Sequence, residues 1–286
     1  MTQVIQNVSD TAFMVAGFRA AENERPNPLF RVPLAARLAG EHGGEILATM
    51  PYSVVGAWSV VIRTVIIDEL ITRAIGEGVD TVLNLGAGLD TRPYRMALPE
   101  DLRWVEVDYP HVIGFKESRL TEEAPRCRLK RIELDLTDRE ALRRFLADMS
   151  ARATKVLVLT EGVVPYLTET DVTGLAGDLR REEKIRYWIT DYFSPQAIRS
   201  GDKLRAKFMR NAPFQFKPAD WFGFFGALGW RPAEVRFVWE EGERLKRPIP
   251  LPLRVKLLLA LAGLFGSRGR QAGMKRFAAY MCLVPD

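Results

Sequence analysis

From Val79 onward, short apolar runs alternate with longer segments whose apolar residues recur every three or four positions. The short runs are Val79–Leu85 (VDTVLNL), Leu102–Asp108 (LRWVEVD), Cys127–Leu134 (CRLKRIEL), Lys155–Thr160 (KVLVLT) and Ile185–Phe193 (IRYWITDYF). Each predicts a strand. Between them, residues 109–122, 137–150 and 168–182 carry the helical period, the second with Thr137 or Asp138 as its cap. Strand, helix, strand at this spacing predicts βαβ units and a parallel sheet. Two later runs, Trp230–Trp239 and Lys275–Val284, are not joined by one clean helix and predict an antiparallel pair at the sheet edge. Before the first strand, residues 1–78 read as helical, including SVVIRTVIIDELITRAI at 59–75, and predict a helical cap. The remainder, 79–286, is expected to form one sheet-centred unit with inserted lid segments at 194–220 and 240–272.

Composition narrows the class of ligand rather than the fold. Of 286 residues, 47% are apolar and 27% charged, enough to bury a sizeable core. Lys and Arg exceed Asp and Glu by 41 to 36, yet no long run of like charge occurs. That balance suits an anionic small molecule better than nucleic acid, whose binders cluster their basic residues. Cys127 and Cys282 sit in strand-like contexts without CxxC or histidine spacing, so they are expected to be buried free thiols, with no metal site. The opening MTQVIQNVSD lacks a basic start and an apolar run, which predicts a cytoplasmic protein.

Chemistry concentrates where the predicted strands end. TVLNLGAGLDTRPYR (81–95) turns at Gly86 and Gly88 directly after the first strand, presenting backbone N–H groups at the carboxyl edge of the sheet. A dinucleotide fingerprint needs a third glycine where Thr91 stands. Asp108 ends the second strand and can accept from two ribose hydroxyls; Glu106, two residues earlier, is its rival. Asp135 and Leu136 follow the third strand, either as an adenine site or as the start of a turn. Glu161 closes the fourth strand, where a carboxylate needs a partner: a ligand ammonium, Arg63 or Arg92. The aromatic run from Pro213 to Trp230 reads either as a helix buried before the sixth strand or as an apolar pocket wall. IPLPLRVKLLLALAGLFG (249–266) is too short and too charged to span a bilayer, leaving a lid helix, a dimer contact or a peripheral membrane contact through 251–266. Monomer and homodimer both remain open.

Taken together, FRAAENERPNPLF with VPLAARLAG, VIRTVIIDEL, LNLGAGLDTRPYR, VEVDYP, LDL and LTEGVVPYL resemble the leucine carboxyl methyltransferase family, in its bacterial polyketide-type O-methyltransferase branch. The likeness runs from about Phe18 to Pro165. It implies a Rossmann-like class I methyltransferase fold: a seven-stranded, mostly parallel sheet with an antiparallel edge strand, an N-terminal helical cap and a C-terminal lid insertion. It implies S-adenosyl-L-methionine as cofactor, with Arg63 and Arg19 toward the methionine carboxylate, Gly86 and Gly88 beneath methionine and ribose, Asp108 on the ribose, and Asp135 with Leu136 framing the adenine. Glu161 would lie near the methionine amino group or the reacting centre. One departure is Val32-Pro33, where the family usually has Asp-Pro.

The acceptor is expected to be an apolar, aromatic or polyketide-like small molecule methylated on oxygen, with carboxylate ahead of hydroxyl. Glu161, Tyr192 and His111 are the candidates to assist, with Asp191 an alternative to Tyr192; Arg25, Arg199 and Lys217 are candidate cations for an acceptor carboxylate. Two other readings are a non-catalytic accessory protein on the same fold and a nicotinamide oxidoreductase, the latter opposed by Thr91.

Overall fold

The computed structural model describes residues 5–49, 53–252, 254 and 275–286. Seven strands form one sheet: β1 (Thr81–Leu85), β2 (Arg103–Asp108), β3 (Arg128–Glu133), β4 (Val156–Thr160), β5 (Ile185–Phe193), β6 (Trp230–Phe237) and β7 (Ala278–Pro285), in spatial order β3-β2-β1-β4-β5-β7-β6. The first five pair in parallel. β7 runs antiparallel to both β5 and β6, so the reversed strand lies one place in from the edge that β6 forms. The sequence places these strands to within a residue or three of their ends.

The helices are α1 (Asp10–Asn23), α2 (Ala35–Thr49), α3 (Ser53–Gly76), α4 (Arg92–Arg95), α5 (Pro110–Arg119), α6 (Arg139–Ala151), α7 (Glu169–Arg181), α8 (Pro195–Phe208), α9 (Trp221–Gly226) and α10 (Val238–Arg244). Asp138 caps α6 by accepting from the Ala141 N–H, and Thr168 with Asp171 forms a capping box on α7. β1 and β4 are buried along their whole length, as strands covered on both faces must be, and their side chains alternate between two cores. Leu83, Leu85, Val156 and Val158 pack toward α6 and α7; Val82, Leu157 and Leu159 pack toward α3. α1 lies against α2 and α3 and reaches over the carboxyl edge of the sheet.

The aromatic run belongs to the core, and its reading as a pocket wall is corrected here. Phe216, Trp221, Phe225 and Trp230 are essentially unexposed and join Trp188 on the α6–α7 side of the sheet. Trp230 also donates its indole N–H to the Ala176 carbonyl at 3.0 Å. Those rings do what large buried aromatics do in a core, meeting edge to face. The expected lid at 240–272 and membrane contact at 251–266 fall largely on residues 253 and 255–274, outside the described residues. Among the described residues no helix is long and apolar enough to cross a membrane.

Glu106 and Asp191 are charged residues buried deep within the sheet. Glu106 on β2 is fully buried and meets Lys116 Nζ at 2.7 Å and Arg131 Nε at 2.9 Å. It faces α5 rather than the strand ends, which removes it as the rival to Asp108. Asp191 on β5, 1% exposed, accepts from the Gly162 N–H at 2.9 Å and lies opposite Tyr280 on β7. Burial pushes its carboxyl up to about 6, against the opposing pull of Arg63.

Lys116→Ala is expected to leave Glu106 without its main counter-charge and to lower unfolding stability by about 3–5 kcal/mol, read by urea titration. A change below 1 kcal/mol would show the pair to be dispensable. Asp191 gives a pH test. Its folded pKa is raised, so its contribution to stability is complete below about pH 4 and is lost as pH rises through about 6, a span worth roughly 3 kcal/mol. Asp191→Asn keeps an acceptor for Gly162 and cannot ionise, so its melting temperature relative to wild type should climb between pH 4 and 7. A constant difference across that range would contradict the raised pKa.

Candidate active site

Beyond the carboxyl ends of β1, β2 and β4 lies a cavity of about 380 Å³, roofed by Val8–Val15 and Arg19, a size suited to a small ligand. Its floor is the turn after β1. Gly86 and Gly88 have φ of 68° and 48°, and a Cβ at Gly86 would stand 2.4 Å from Val163 Cγ2. Only glycine fits such a backbone at that distance. The turn opens into α4, a single turn of four residues, rather than into a long helix.

One end of the cavity is acidic and aromatic. Asp108 Oδ2 accepts from the Gly88 N–H at 2.6 Å and Oδ1 from the Tyr109 N–H at 2.8 Å, so the carboxylate is fixed by the backbone it joins. Burial raises its pKa while those two N–H groups oppose the shift. Asp135 and Leu136 line the same end; Asp135 accepts from the Thr137 N–H and hydroxyl, both at 2.8 Å. Tyr109, 40% exposed, lines the same end, where burial and the nearby carboxylates of Asp135 and Asp108 raise its phenol pKa. Sequence reasoning missed Tyr109, although an aromatic directly after the strand-ending acid was a signal within VEVDYP.

The other end is a knot of buried charge. Glu161 Oε1 is 2.6 Å from Arg19 Nη2 and 2.8 Å from Arg63 Nε, and Oε2 is 2.7 Å from Arg92 Nη1. The Arg63 contact is an ion pair without hydrogen-bond alignment, and Arg92 Nη2 is buried with no partner. Burial alone would push the Glu161 carboxyl up; Arg19, Arg92 and Arg63 outweigh it and hold the group well below the usual carboxylate range. Arg19 moves the other way, lowered by burial despite Glu161. Asp90 and Asn84 complete this end, Asn84 donating to Asp90 at 3.0 Å.

The structure thus brings Arg19, Arg63, Gly86, Gly88, Asp108, Asp135, Leu136 and Glu161 around one cavity. It does not bring Tyr192 or His111 there. Tyr192, at the carboxyl end of β5, stacks on Phe222 and packs on the aromatic core rather than into the cavity. His111 stands outside, exposed, stacked on Tyr109 and within hydrogen-bonding distance of Ser9 Oγ at 3.0 Å. Glu161, with three arginines on two oxygens, is no proton acceptor. Arg199 and Lys217 are exposed away from the lining, and Arg25 faces a separate groove beside Trp58 and Arg247. At the Val32-Pro33 departure, Asn23 grips the Val32 backbone through both its carbonyl and its N–H at 2.8 Å, fixing this loop with an amide.

These residues can accept a ligand with sugar hydroxyls near Asp108, a flat ring near Leu136 and Tyr109, and a charged amino-acid-like end near Arg19, Arg63 and Glu161. A family model described as leucine carboxyl methyltransferase matches residues 12–179. A protein of Frankia alni, described as an S-adenosyl-L-methionine-dependent methyltransferase, is 38% identical over 175 residues, covering 58% of this chain and 61% of its own length. A similarly described protein of Parafrankia is 30% identical over 290 residues, covering 93% of this chain and 88% of its own. The chain therefore spans about three fifths of the first relative and most of the second. Among solved structures, a protein described as a methyltransferase from Thermobifida fusca aligns over 99% of this chain and 96% of its own with a TM-score of 0.59 at 14% identity. A DUF574-family protein from Streptomyces avermitilis aligns over 95% and 96% with a TM-score of 0.52 at 18% identity; at such identities the likeness concerns the fold. With a family model over more than half its length and a relative aligned along nearly all of it, the chain belongs to the leucine carboxyl methyltransferase family.

Proposed function

We propose that the protein is an S-adenosyl-L-methionine-dependent methyltransferase that methylates oxygen on an apolar small molecule, with a carboxylate favoured over a hydroxyl. The observation that carries the cofactor is the ordering of one cavity: ring site, sugar-binding carboxylate, glycine floor, then arginines. Asp108 would hold the ribose, Leu136, Tyr109 and Asp135 the adenine, and Arg63 with Arg19 the methionine carboxylate. The single turn of α4 offers no long helix terminus to a pyrophosphate, which speaks against a nicotinamide dinucleotide. Bound here, the cofactor supplies a methyl group on a sulfonium.

The chain's own contribution is placement. Holding the acceptor oxygen in line with the methyl carbon can supply about 7–11 kcal/mol of the barrier. The apolar side of the cavity, with Val8, Met14, Val15, Val60 and Leu167, suits an apolar acceptor and excludes water. The carboxylates that line it are all engaged: Asp90 by Arg92, Asp108 by two backbone N–H groups, Asp135 by Thr137, Glu161 by three arginines and Asp171 by Thr168. A hydroxyl acceptor needs a base to take its proton; a carboxylate arrives ionised and loses none. This engagement is what favours the carboxylate.

Calorimetry with S-adenosylhomocysteine should give binding heat, and with NAD none. Arg63→Ala should weaken S-adenosylhomocysteine by about 1.5–3 kcal/mol through loss of a charge-assisted contact, and Asp108→Asn should weaken it too. Unchanged affinity in folded variants would remove these residues from the cofactor site. For the acceptor, a compound screen followed by NMR should place the new methyl group on oxygen. The rate should be nearly flat between about pH 6 and 9 for a carboxylate; a steep rising limb would shift the assignment to a hydroxyl with a base.

A further inference from the structure

The charged end of the cavity rests on residues that do not reach it. Asp68 stands on α3, on the same helix as Arg63, and its carboxylate receives Arg92 Nε at 2.7 Å and both terminal nitrogens of Arg95 at 2.7 and 2.8 Å. Arg92 is fully buried and directs Nη1 to Asp90 Oδ2 and Glu161 Oε2, each at 2.7 Å. Neither Asp68 nor Arg92 lines the cavity. Glu161 is therefore held by two kinds of partner. Oε1 meets Arg19 and Arg63, which face the ligand space; Oε2 meets Arg92, which is locked from behind by Asp68 and Asp90.

This asymmetry matters because a ligand carboxylate has to compete with Glu161 for Arg19 and Arg63. A glutamate displaced from all its cations would be an uncompensated buried charge, which is strongly unfavourable. Arg92 removes that obstacle by keeping Oε2 paired throughout. Its forked guanidinium can hold Asp68 through Nε while serving Asp90 and Glu161 through Nη1, a geometry that a lysine cannot reproduce.

Resting on the cofactor reading above, we infer that Asp68 and Arg92 are positioning residues for the amino-acid end of the ligand: a fixed anchor that retains Glu161 on one oxygen while the ligand carboxylate takes over the cavity-facing arginines. The other glutamate oxygen is then available to the ligand ammonium. Asp68 acts only through Arg92 and Glu161 and touches no ligand.

The test compares S-adenosylhomocysteine with 5′-methylthioadenosine, which keeps the adenosine and lacks the amino-acid end, by calorimetry on the full chain. Asp68→Asn is expected to weaken S-adenosylhomocysteine about 10- to 150-fold, the scale of a lost charged hydrogen bond, and to leave 5′-methylthioadenosine unchanged. Asp68→Glu should recover most of the loss, and Arg92→Lys, as an independent variant, should show the same split between ligands. In a Glu161→Gln background, Asp68→Asn should cause no further loss, since residues acting in series are not additive. Equal weakening of both ligands, or a full additional loss in the Glu161→Gln background, would reduce Asp68 to a merely structural role and overturn the anchor. An unaltered S-adenosylhomocysteine affinity in folded Asp68→Asn would overturn it as well. A wild-type protein that binds neither ligand would instead bring down the cofactor reading itself, a result distinct from a missing split in a protein that binds both.

Discussion

A carboxylate withdrawn from water stays ionised only where cations are close enough to repay its lost hydration. Glu161, its side chain 8% exposed, meets that condition with one arginine from α1, one from α3 and one from the start of α4. The consequence reaches past the local charge. Arg19 and Arg63 tie the helical cap to the sheet, and Arg92 ties the glycine turn to β4. Cap, turn and sheet meet at one residue, and the cavity is the space left beside that meeting point. Weakening it loosens the roof, the floor and the charged end together.

Much of this arrangement was legible in the chain because the central strands are buried on both faces. Such strands read as continuous apolar runs, and the polar residue that ends each run marks the carboxyl edge of the sheet. Asp108 and Glu161 were found in that way. The N-cap of α6 was legible for a similar reason, since a side chain that accepts from the first free N–H groups must stand at a fixed offset from the helix.

What was not legible depends on depth and direction. Glu106 and Asp108 share a side of β2, and alternation cannot separate them. The distinction is that Asp108 ends the strand whereas Glu106 lies one step in, beneath Lys116 of α5. Aromatic residues 214–230 have a composition that serves a core or a pocket equally, and only packing against Trp188 decides. Asp68 was passed over, because nothing local on a long helix announces that its partner comes from α4, beyond the next strand. Tyr192 and His111 sat near strand or helix ends where function gathers, yet one points into the aromatic core and the other stands outside the cavity.

The placement of β7 bears on how the molecule is assembled in time. Among the described residues β6 has β7 as its only strand neighbour, and β5 needs β7 to cover its outer edge, yet β7 follows both in the chain. During synthesis at about 5–20 residues per second, β5 emerges with its pairing edge open and stays so for seconds. β6 then waits without a template. An open edge of this kind is a site for mispairing with other chains. β7 acts as a keystone, and changes that delay its arrival would be felt as aggregation of nascent chains before any effect on the folded protein.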